Sequence, residues 1–410
     1  MALLLRWEMF HLTPSRRRRP YRLRNAGACG WALNYFKLFL ELFLGADGRL
    51  ATAHSFVMHL LDSEQLALTL WLEGKSLPAY RGAQVRRWLF QSRAESFAEM
   101  TDLPGELRQQ LQEDFTIWTT RIVAHSQSDD GTEKLLLELV DHHRIECVLL
   151  RDGTRRSICV SSQVGCGMGC VFCASGLDGV VRNLTSGEIL EQMLRLQRLL
   201  PVDERISHLV LMGMGEPLAN LDQLLPALAH AEDPDGLGIS ARRITISTVG
   251  LPAAIDRLGE IGCRYNLAVS LHAADDVVRD QLVPVNAKIG LAEILAAADR
   301  YFERSGRRLT FEYVLLSEIN DRPQDADRLA SLLKGRTALV NLIPYNPVAG
   351  LPYRTPSLAA RRRFTQILER QGINIKVRQR KGSTIDAACG QLRRLRSSPL
   401  VEIDVATSIQ

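Results

Sequence analysis

Three closely spaced cysteines are the residues in this sequence best suited to metal chemistry. Cys166, Cys170 and Cys173 follow the pattern C-x3-C-x2-C. Three thiolates on one loop can hold three irons of a cubane cluster and leave the fourth iron open to a small molecule, whereas four cysteines would close the cluster, as in ferredoxins. Zinc is the alternative, but zinc sites favour paired knuckles and a fourth ligand. Neither a second C-x2-C pair nor a histidine at finger spacing follows. The spacing therefore predicts one [4Fe-4S] cluster with an open iron.

The distribution of all the cysteines indicates the redox environment of the protein. The chain has eight cysteines, and four of them lie between residues 159 and 173. Such clustering argues against a secreted disulfide scaffold and indicates a reducing, cytoplasmic setting, in which any disulfide would be transient and catalytic. Cys147 and Cys263 have no motif around them, and we expect them to be core residues.

Strand-like and helical runs alternate from residue 157 onward, which predicts parallel βα units. The strand-like runs are Ser157–Ser161, His208–Gly213, Arg243–Thr248, Tyr265–Leu271, Leu309–Leu315, Ala338–Ile343 and Asn374–Val377. This number of units predicts an α/β fold, a partial (β/α)6-type barrel with its chemistry at the carboxyl ends of the strands. A capping box, Thr185-Ser-Gly-Glu188, is expected to open one of the intervening helices.

Other regions surround this predicted core. The expected divisions are a basic N-terminal extension at 1–57, a small helical domain at 58–115, an antiparallel strand extension at 116–155, the core at 156–392 and a tail at 393–410. We expect the first of these to be dispensable, with Met58 as the effective start. No run is long and apolar enough to span a bilayer. The apolar run in the extension lacks the charge-first, small-residue-last order of a signal peptide, and a basic organelle-targeting leader is the alternative interpretation of this extension.

Polar residues recur where the predicted strands end. Gly215 and Glu216 follow one strand, and the glycine would let the backbone approach a ligand while the carboxylate accepts a hydrogen bond from an ammonium group. Ser247, Ser270, His272 and Asn346 end other strands and would place hydroxyl, imidazole and amide groups around one mouth. Each residue alone is more often an ordinary strand-end residue, so the prediction rests on their recurrence at equivalent ends.

These motifs together resemble one family. The cysteine loop is similar to that of the radical S-adenosylmethionine superfamily. Cys159-Val-Ser-Ser-Gln-Val-Gly-Cys166, Gly213-Met-Gly-Glu-Pro-Leu218 and Asp386-Ala-Ala-Cys-Gly-Gln-Leu392 resemble, more narrowly, the radical adenine methyltransferases that act on 23S ribosomal RNA and transfer RNA. The resemblance extends over residues 58–392. It implies that Cys166, Cys170 and Cys173 hold the cluster, and that S-adenosylmethionine binds at Gly215, Glu216, Ser247, Ser270, Leu271, His272 and Asn346.

The resemblance also implies a mechanism. One S-adenosylmethionine methylates Cys389, and a second is cleaved at the cluster to a radical that takes hydrogen from that methyl group. The carbon radical adds to adenine C2, Glu146 removes the C2 proton, and Cys159 releases the product by forming a disulfide with Cys389. The expected partners are 23S ribosomal RNA, near the peptidyl-transferase region, and transfer RNA, at the adenosine beside the anticodon. A flavodoxin-type electron donor, a monomeric state and no membrane contact are also expected.

The charge distribution supports an RNA partner. Residues 361–396 contain eleven Lys or Arg and two acidic residues, which indicates a phosphate-binding surface. A solvated helix face balanced by acids elsewhere would give the same pattern. A flipped-out adenine in a looped strand would suit a buried site.

Three other functions are consistent with the sequence. The first is the sister activity that methylates adenine C8 and gives antibiotic resistance, which shares the cluster and both extra cysteines. The second is a radical enzyme acting on a small molecule, although Cys159 and Cys389 argue against it. The third is a non-catalytic iron–sulfur or zinc module that binds RNA.

Overall fold

A ten-stranded mixed sheet carries the motifs identified above. The computed structural model describes residues 57–62, 64–262 and 264–392. The basic N-terminal extension, the C-terminal tail and Cys263 therefore lie outside the described residues, as does Ser63. The described residues belong to one unit of the chain, which begins at Val57.

The elements follow in chain order. The strands are β1 (Met58–His59), β2 (Phe115–Thr116), β3 (Arg121–Gln127), β4 (Glu133–Glu138), β5 (Arg144–Asp152), β6 (Arg155–Cys159), β7 (Gln163–Gly165), β8 (Val180–Asn183), β9 (His208–Leu211), β10 (Ile244–Thr248), β11 (Asn266–Ser270), β12 (Leu309–Leu315), β13 (Ala338–Pro344) and β14 (Ile375–Val377). The helices are α1 (Glu64–Gly74), α2 (Tyr80–Phe90), α3 (Gly105–Asp114), α4 (Ser186–Gln197), α5 (Leu221–Glu232), α6 (Pro252–Glu260), α7 (Asp276–Leu282), α8 (Leu291–Ser305), α9 (Pro323–Leu333) and α10 (Leu358–Arg370).

The parallel part of the sheet contains all seven predicted core strands. Its order is β6-β9-β10-β11-β12-β13-β14, so each strand pairs in parallel with the next one along this series. One cavity at the amino ends is lined by a residue from every one of these strands. A single cavity can touch all seven strands only if the sheet curls around it, which confirms the predicted partial barrel.

The antiparallel strands continue this sheet. β5 pairs antiparallel with β6, β4 with β5, and β3 with β4. The predicted antiparallel segment is thus the far edge of the barrel sheet. His142 and His143 lie in the turn between β4 and β5, and His142 has a φ of 62°.

Helices cover the convex face of the sheet. The capping box of α4 is present: the Thr185 side chain accepts from the Glu188 N–H, and the Glu188 carboxylate accepts from the Thr185 N–H. In the small N-terminal domain, α3 buries Leu107 and Leu111 as its periodicity predicts. No helix in the described ranges is long and apolar enough to cross a membrane.

The segment after β14 closes the gap in the barrel. We call residues 378–392 the closing segment. Lys381 Nζ donates to the Arg151 carbonyl at 2.6 Å and lies 3.2 Å from Asp152 Oδ1. The Gly382 N–H donates to Asp130 Oδ2 at 2.8 Å. These bonds fasten one edge of the sheet to the antiparallel strands at the other.

We predict that Gly382→Ala weakens this closure. Gly382 has a φ of 64°, and an added Cβ would lie 2.8 Å from side-chain atoms of Thr132 and Ala387. The left-handed backbone costs a non-glycine residue about 1 kcal/mol, and the forced overlap should add about 1–3 kcal/mol. Urea unfolding should show a lower midpoint.

Gly372→Ala is the matched control for that variant. Gly372 has a φ of 78° and no neighbouring atom within 4 Å of an added Cβ, so it isolates the backbone cost. Equal losses for the two variants would contradict a tightly packed closure.

Candidate active site

One cavity at the carboxyl ends of the strands collects most of the predicted site residues. Its lining includes Cys166, Cys170, Cys173, Gly215, Glu216, Ser247, Ser270, His272, Asn346 and Cys389. These residues come from six separate parts of the chain. Leu271, Cys159 and Glu146 do not line it.

The cysteine loop is held by its neighbours on three sides. The Cys166 N–H donates to the Gly179 carbonyl at 3.0 Å, the Val171 N–H to Leu282 at 3.1 Å and the Ala174 N–H to Gly390 at 2.8 Å. Burial raises the pKa of the Cys166 thiol to about 12. The loop thiols are therefore protonated without a metal, and a cluster would displace those protons on binding. Three sulfur donors on one side of a shared cavity fit a cubane cluster with one open iron.

Glu216 is a buried carboxylate beside this loop. Its Oε1 accepts from the Leu218 N–H at 3.0 Å, and its Oε2 accepts from the Val249 N–H at 2.8 Å. Burial raises the pKa of Glu216 to about 7 despite these hydrogen bonds. A ligand ammonium beside it would favour the ionised form. Gly215 has a φ of 101°, and an added Cβ would lie 2.7 Å from Gln163 and Ser162, so this turn requires glycine.

His272 stands at the cavity wall after β11 with a φ of 61°. Its Nδ1 accepts from the Val314 N–H at 3.1 Å, which assigns the proton of the neutral ring to Nε2. Burial and the charge of Arg279 lower the pKa of His272 to about 3. The ring also packs edge-on against Phe172 of the cysteine loop, with centroids 4.9 Å apart. His272 therefore presents a neutral imidazole.

Leu271 takes part in the site through its backbone carbonyl. Its carbonyl accepts from Arg279 Nε at 2.9 Å, and the carbonyls of Ser270 and Val249 accept from the same guanidinium. Arg279 is fully buried, and burial lowers its pKa to about 10. It thereby fixes the ends of β10 and β11, where Ser247 and Ser270 lie.

Asn346 holds Cys389 in the cavity. Its Nδ2 donates to the Cys389 carbonyl at 3.1 Å, and its Oδ1 accepts from Arg380 Nε at 2.8 Å. The Cys389 side chain is exposed, because it faces the cavity rather than the core. Loss of hydration from the surrounding protein raises the pKa of this thiol, while the nearby charge of Arg378 opposes that effect.

Cys159 lies behind Cys389 at the end of β6 and is 8% exposed. Burial, with a smaller effect of Cys389, raises the pKa of the Cys159 thiol to about 12. Both thiols are near enough to interact with the Arg378 guanidinium. Each is a free cysteine, so the Cys159–Cys389 disulfide expected from the resemblance is not present among the described residues.

Glu146 lies on β5, on the same face of the sheet as Cys159. Val148 is the register partner of Cys159, and Glu146 lies two positions before Val148 on the same strand. The carboxylate is 3% exposed and pairs with Lys134 Nζ at 2.7 Å. The same ammonium donates to the Asp386 carbonyl at 3.2 Å, which links Glu146 to the closing segment.

Cys147 is fully buried, as the sequence analysis expected.

The sequence analysis missed three charged residues of the site. Arg279 orients strand ends, while Glu312 and Arg378 form an ion pair at 3.4 Å next to the two cysteines. A Glu in the apolar strand Leu309–Leu315 was a detectable signal, because an isolated carboxylate in a buried strand needs a partner. The pairing itself joins residues far apart in sequence and could not be read from either motif.

Comparisons with known proteins agree with this arrangement. Residues 160–330 match the family model described as Radical SAM superfamily, and residues 58–117 match the Ribosomal RNA large subunit methyltransferase N-terminal domain. A protein of Rhodopirellula baltica named "Probable dual-specificity RNA methyltransferase RlmN" is 64% identical over 82% of this chain and 91% of its own length. A Symbiobacterium thermophilum protein with the same name is 49% identical over 77% of this chain and 86% of its own.

The chain belongs to the RlmN family.

A solved structure extends the comparison to the fold of the RlmN family. The crystal structure of a radical SAM methyltransferase from Sphaerobacter thermophilus matches with a TM-score of 0.80 and 41% identity. The match covers 82% of this chain and 99% of that one. The curled sheet and the N-terminal helices are therefore features shared with a solved relative.

We predict that Cys166→Ala, Cys170→Ala and Cys173→Ala each lose bound iron and sulfide after anaerobic reconstitution, because each removes one of three iron ligands. Cys389→Ala should keep the wild-type content, although this thiol lines the same cavity. Iron and sulfide analysis of the four purified variants measures the difference. Loss of the cluster in Cys389→Ala would instead indicate a closed, four-thiolate centre.

Proposed function

We propose that this protein methylates C2 of a specific adenine in 23S ribosomal RNA, in the peptidyl-transferase region, and of the adenosine beside the anticodon in transfer RNA. The position of Cys389 carries the proposal. This thiol lines the cavity that contains the three loop cysteines, and it also lines a second, open cavity. A methyl group on its sulfur would face cofactor chemistry on one side and an incoming RNA base on the other.

The second cavity has the charge that an RNA substrate requires. Four of its lining residues are cationic, namely Arg361, Arg378, Arg380 and Lys381, and no acidic residue of the described chain lines it. Neutralising phosphates with such side chains supplies much of the binding free energy for RNA. An adenine turned out of a loop could reach Cys389 through this opening. The printed names of the relatives, dual-specificity RNA methyltransferases, support the same substrate class.

Cys389 acts as the methyl carrier in this proposal. Its thiolate displaces S-adenosylhomocysteine from a first S-adenosylmethionine, since the thiolate is the reactive form of cysteine. Cys166, Cys170 and Cys173 would hold a [4Fe-4S] cluster, which would supply the electron for cleaving a second S-adenosylmethionine to the radical that removes hydrogen from this methyl group. Glu216, Ser247, Ser270, His272 and Asn346 would bind and orient the cofactor, with Gly215 and Leu271 contributing backbone.

Two further residues complete the turnover. Once the carbon on Cys389 is bonded to adenine C2, the adduct would give up its unpaired electron to the oxidised cluster, and Glu146 would take the C2 proton, with Lys134 holding its carboxylate. The Cys159 thiolate then attacks the Cys389 sulfur, which forms a disulfide and breaks the sulfur–carbon bond, and the released carbon takes up a proton to become the methyl group of the RNA. A reductant must then restore the two thiols. We propose a flavodoxin-type donor for the radical step, a monomeric protein, and action in the cytoplasm, where both RNA substrates are found.

We predict that Cys389→Ala abolishes methyl transfer because the carrier sulfur is gone. Cys159→Ala should instead accumulate a covalent protein–RNA adduct, because the carbon–sulfur bond is formed but not released. Anaerobic turnover on ribosomal RNA fragments with a labelled methyl donor, followed by denaturing gels, distinguishes the two variants. Cys147→Ala is the control, since that thiol does not line either cavity.

Nuclease digestion and mass spectrometry of the same reaction identify the position of the methyl group. We expect 2-methyladenosine. A product of 8-methyladenosine would assign the sister activity, and turnover by Cys389→Ala would contradict the methyl-carrier mechanism.

We predict that replacing Arg361, Arg362 and Arg363 with Gln weakens RNA binding and flattens its salt dependence. These residues lie on α10, and Arg361 lines the basic cavity. Each lost phosphate contact should reduce the slope of log K against log salt by about 0.7. Replacing Arg257, Arg300 and Arg328, which are ion-paired with aspartates, is the control. An unchanged slope in the first variant would exclude this helix from the RNA surface.

A further inference from the structure

Glu312 is a buried carboxylate of the site to which the proposed chemistry gives no task. It lies in the middle of β12 and is 3% exposed. Its residue lines both the cofactor cavity, which contains Cys389, and the cavity at the amino ends of the strands. This carboxylate therefore lies inside the barrel, between the cofactor cavity and the cavity at the amino ends of the strands.

The two oxygens of Glu312 have different surroundings. Oε1 accepts from Asn341 Nδ2 at 2.9 Å and pairs with Arg378 Nη2 at 3.4 Å. Oε2 has no hydrogen-bond partner and is sealed from water. Among the buried side-chain atoms without a partner in the described ranges, it is the one whose residue lines the cofactor cavity.

The neighbours of Glu312 explain why Oε2 has no hydrogen-bond donor. Asn341 is its register partner on β13, so the amide reaches the nearer oxygen. The Arg378 guanidinium is drawn toward the same oxygen, and its Nη2 also contacts the Met212 sulfur at 3.7 Å. A buried acceptor without a donor costs about 1–3 kcal/mol, and more when it is charged. Such a cost is recovered when a ligand brings the missing donor.

We propose that Glu312 is a nucleoside-binding residue, whose Oε2 accepts a hydrogen bond from a ribose hydroxyl or an exocyclic amine held beside Cys389. Both donors are nucleoside groups, and both the cofactor and the target adenosine carry them. Met212 lines both cavities, has its sulfur 3.7 Å from Arg378 Nη2 and carries a flexible side chain, so it is the neighbour that we expect to move when a ligand reaches Oε2. Asn341 and Arg378 act as positioning residues that fix the carboxylate. The inference rests on the proposed function, because that function brings nucleosides into this cavity.

The test measures binding rather than turnover. Glu312→Gln keeps the size of the side chain and an oxygen for Asn341, but it replaces the free acceptor with an amide donor. The full-length protein, with its cluster reconstituted, is titrated with S-adenosylhomocysteine. It is then titrated with an anticodon stem-loop RNA that carries adenosine, or purine riboside without the amine, at the target position. Glu318→Gln, which removes an exposed carboxylate just after the same strand, is the matched control.

The two titrations, with S-adenosylhomocysteine and with RNA, distinguish the two possible sources of the hydrogen-bond donor. If the cofactor supplies it, Glu312→Gln should bind S-adenosylhomocysteine about tenfold more weakly, the loss expected for a hydrogen bond to a charged group. If the substrate supplies it, S-adenosylhomocysteine binding stays unchanged and the variant binds the adenosine stem-loop about tenfold more weakly. The wild-type preference for adenosine over purine riboside is then lost if the donor is the amine, and it is kept if the donor is the ribose hydroxyl. Glu312→Asp, which withdraws the carboxylate by one methylene, should weaken the binding of the same ligand. This variant repeats the test if the Gln variant unfolds.

Unchanged affinities in both arms would overturn the assignment of Glu312 while leaving the proposed function intact. A wild-type protein that binds neither S-adenosylhomocysteine nor the RNA would instead overturn the proposed function, and the inference with it.

Discussion

The site depends on the fastening of the closing segment across the mouth of the barrel. The parallel strands end at β14, and their sheet would leave Cys389 outside the cavity. Lys381 and Gly382 bind the antiparallel strands through Arg151, Asp152 and Asp130, and so turn the segment inward. The bonds to the Arg151 carbonyl and from the Gly382 N–H each involve backbone on one side, so their geometry is set by the path of the chain as much as by side chains. The antiparallel strands thus serve as the anchor for the segment that contains Cys389.

Polar residues inside the barrel are arranged as orienting pairs. Arg279 holds three carbonyls at the ends of β10 and β11, Asn346 holds the carbonyl of Cys389, and Glu312 pairs with Arg378 and Asn341. Buried charges are costly unless hydrogen-bonded, and here the compensating partners are strand-end carbonyls and neighbouring side chains. The same bonds that offset burial also fix the groups that would contact ligands. Rigid placement of this kind is what radical chemistry needs, because a reactive carbon must meet one target atom and no other.

Local patterns predicted much of this structure. The seven parallel strands, the capping box at Thr185 and the cysteine loop are each encoded within a few residues, through alternation, hydrogen-bonding type or spacing. The collection of Glu216 and Ser270 in one cavity followed from placing motifs at equivalent strand ends, whereas the place of Cys389 beside the loop of Cys166 was implied by the family resemblance. The continuity of β3–β5 with the barrel sheet could not be predicted, because register between strands is set by long-range pairing. The Glu312–Arg378 pair was missed for the same reason.

The order of the strands has a consequence for synthesis on the ribosome. Each parallel strand pairs with the one made before it, so the sheet can extend as the chain emerges, with mostly sequential contacts. The cysteine loop follows the first of these strands, and the closing segment follows the last. The nascent protein therefore acquires the three cysteines proposed as metal ligands well before Cys389, and the proposed methyl acceptor joins the cavity only when the sheet is finished.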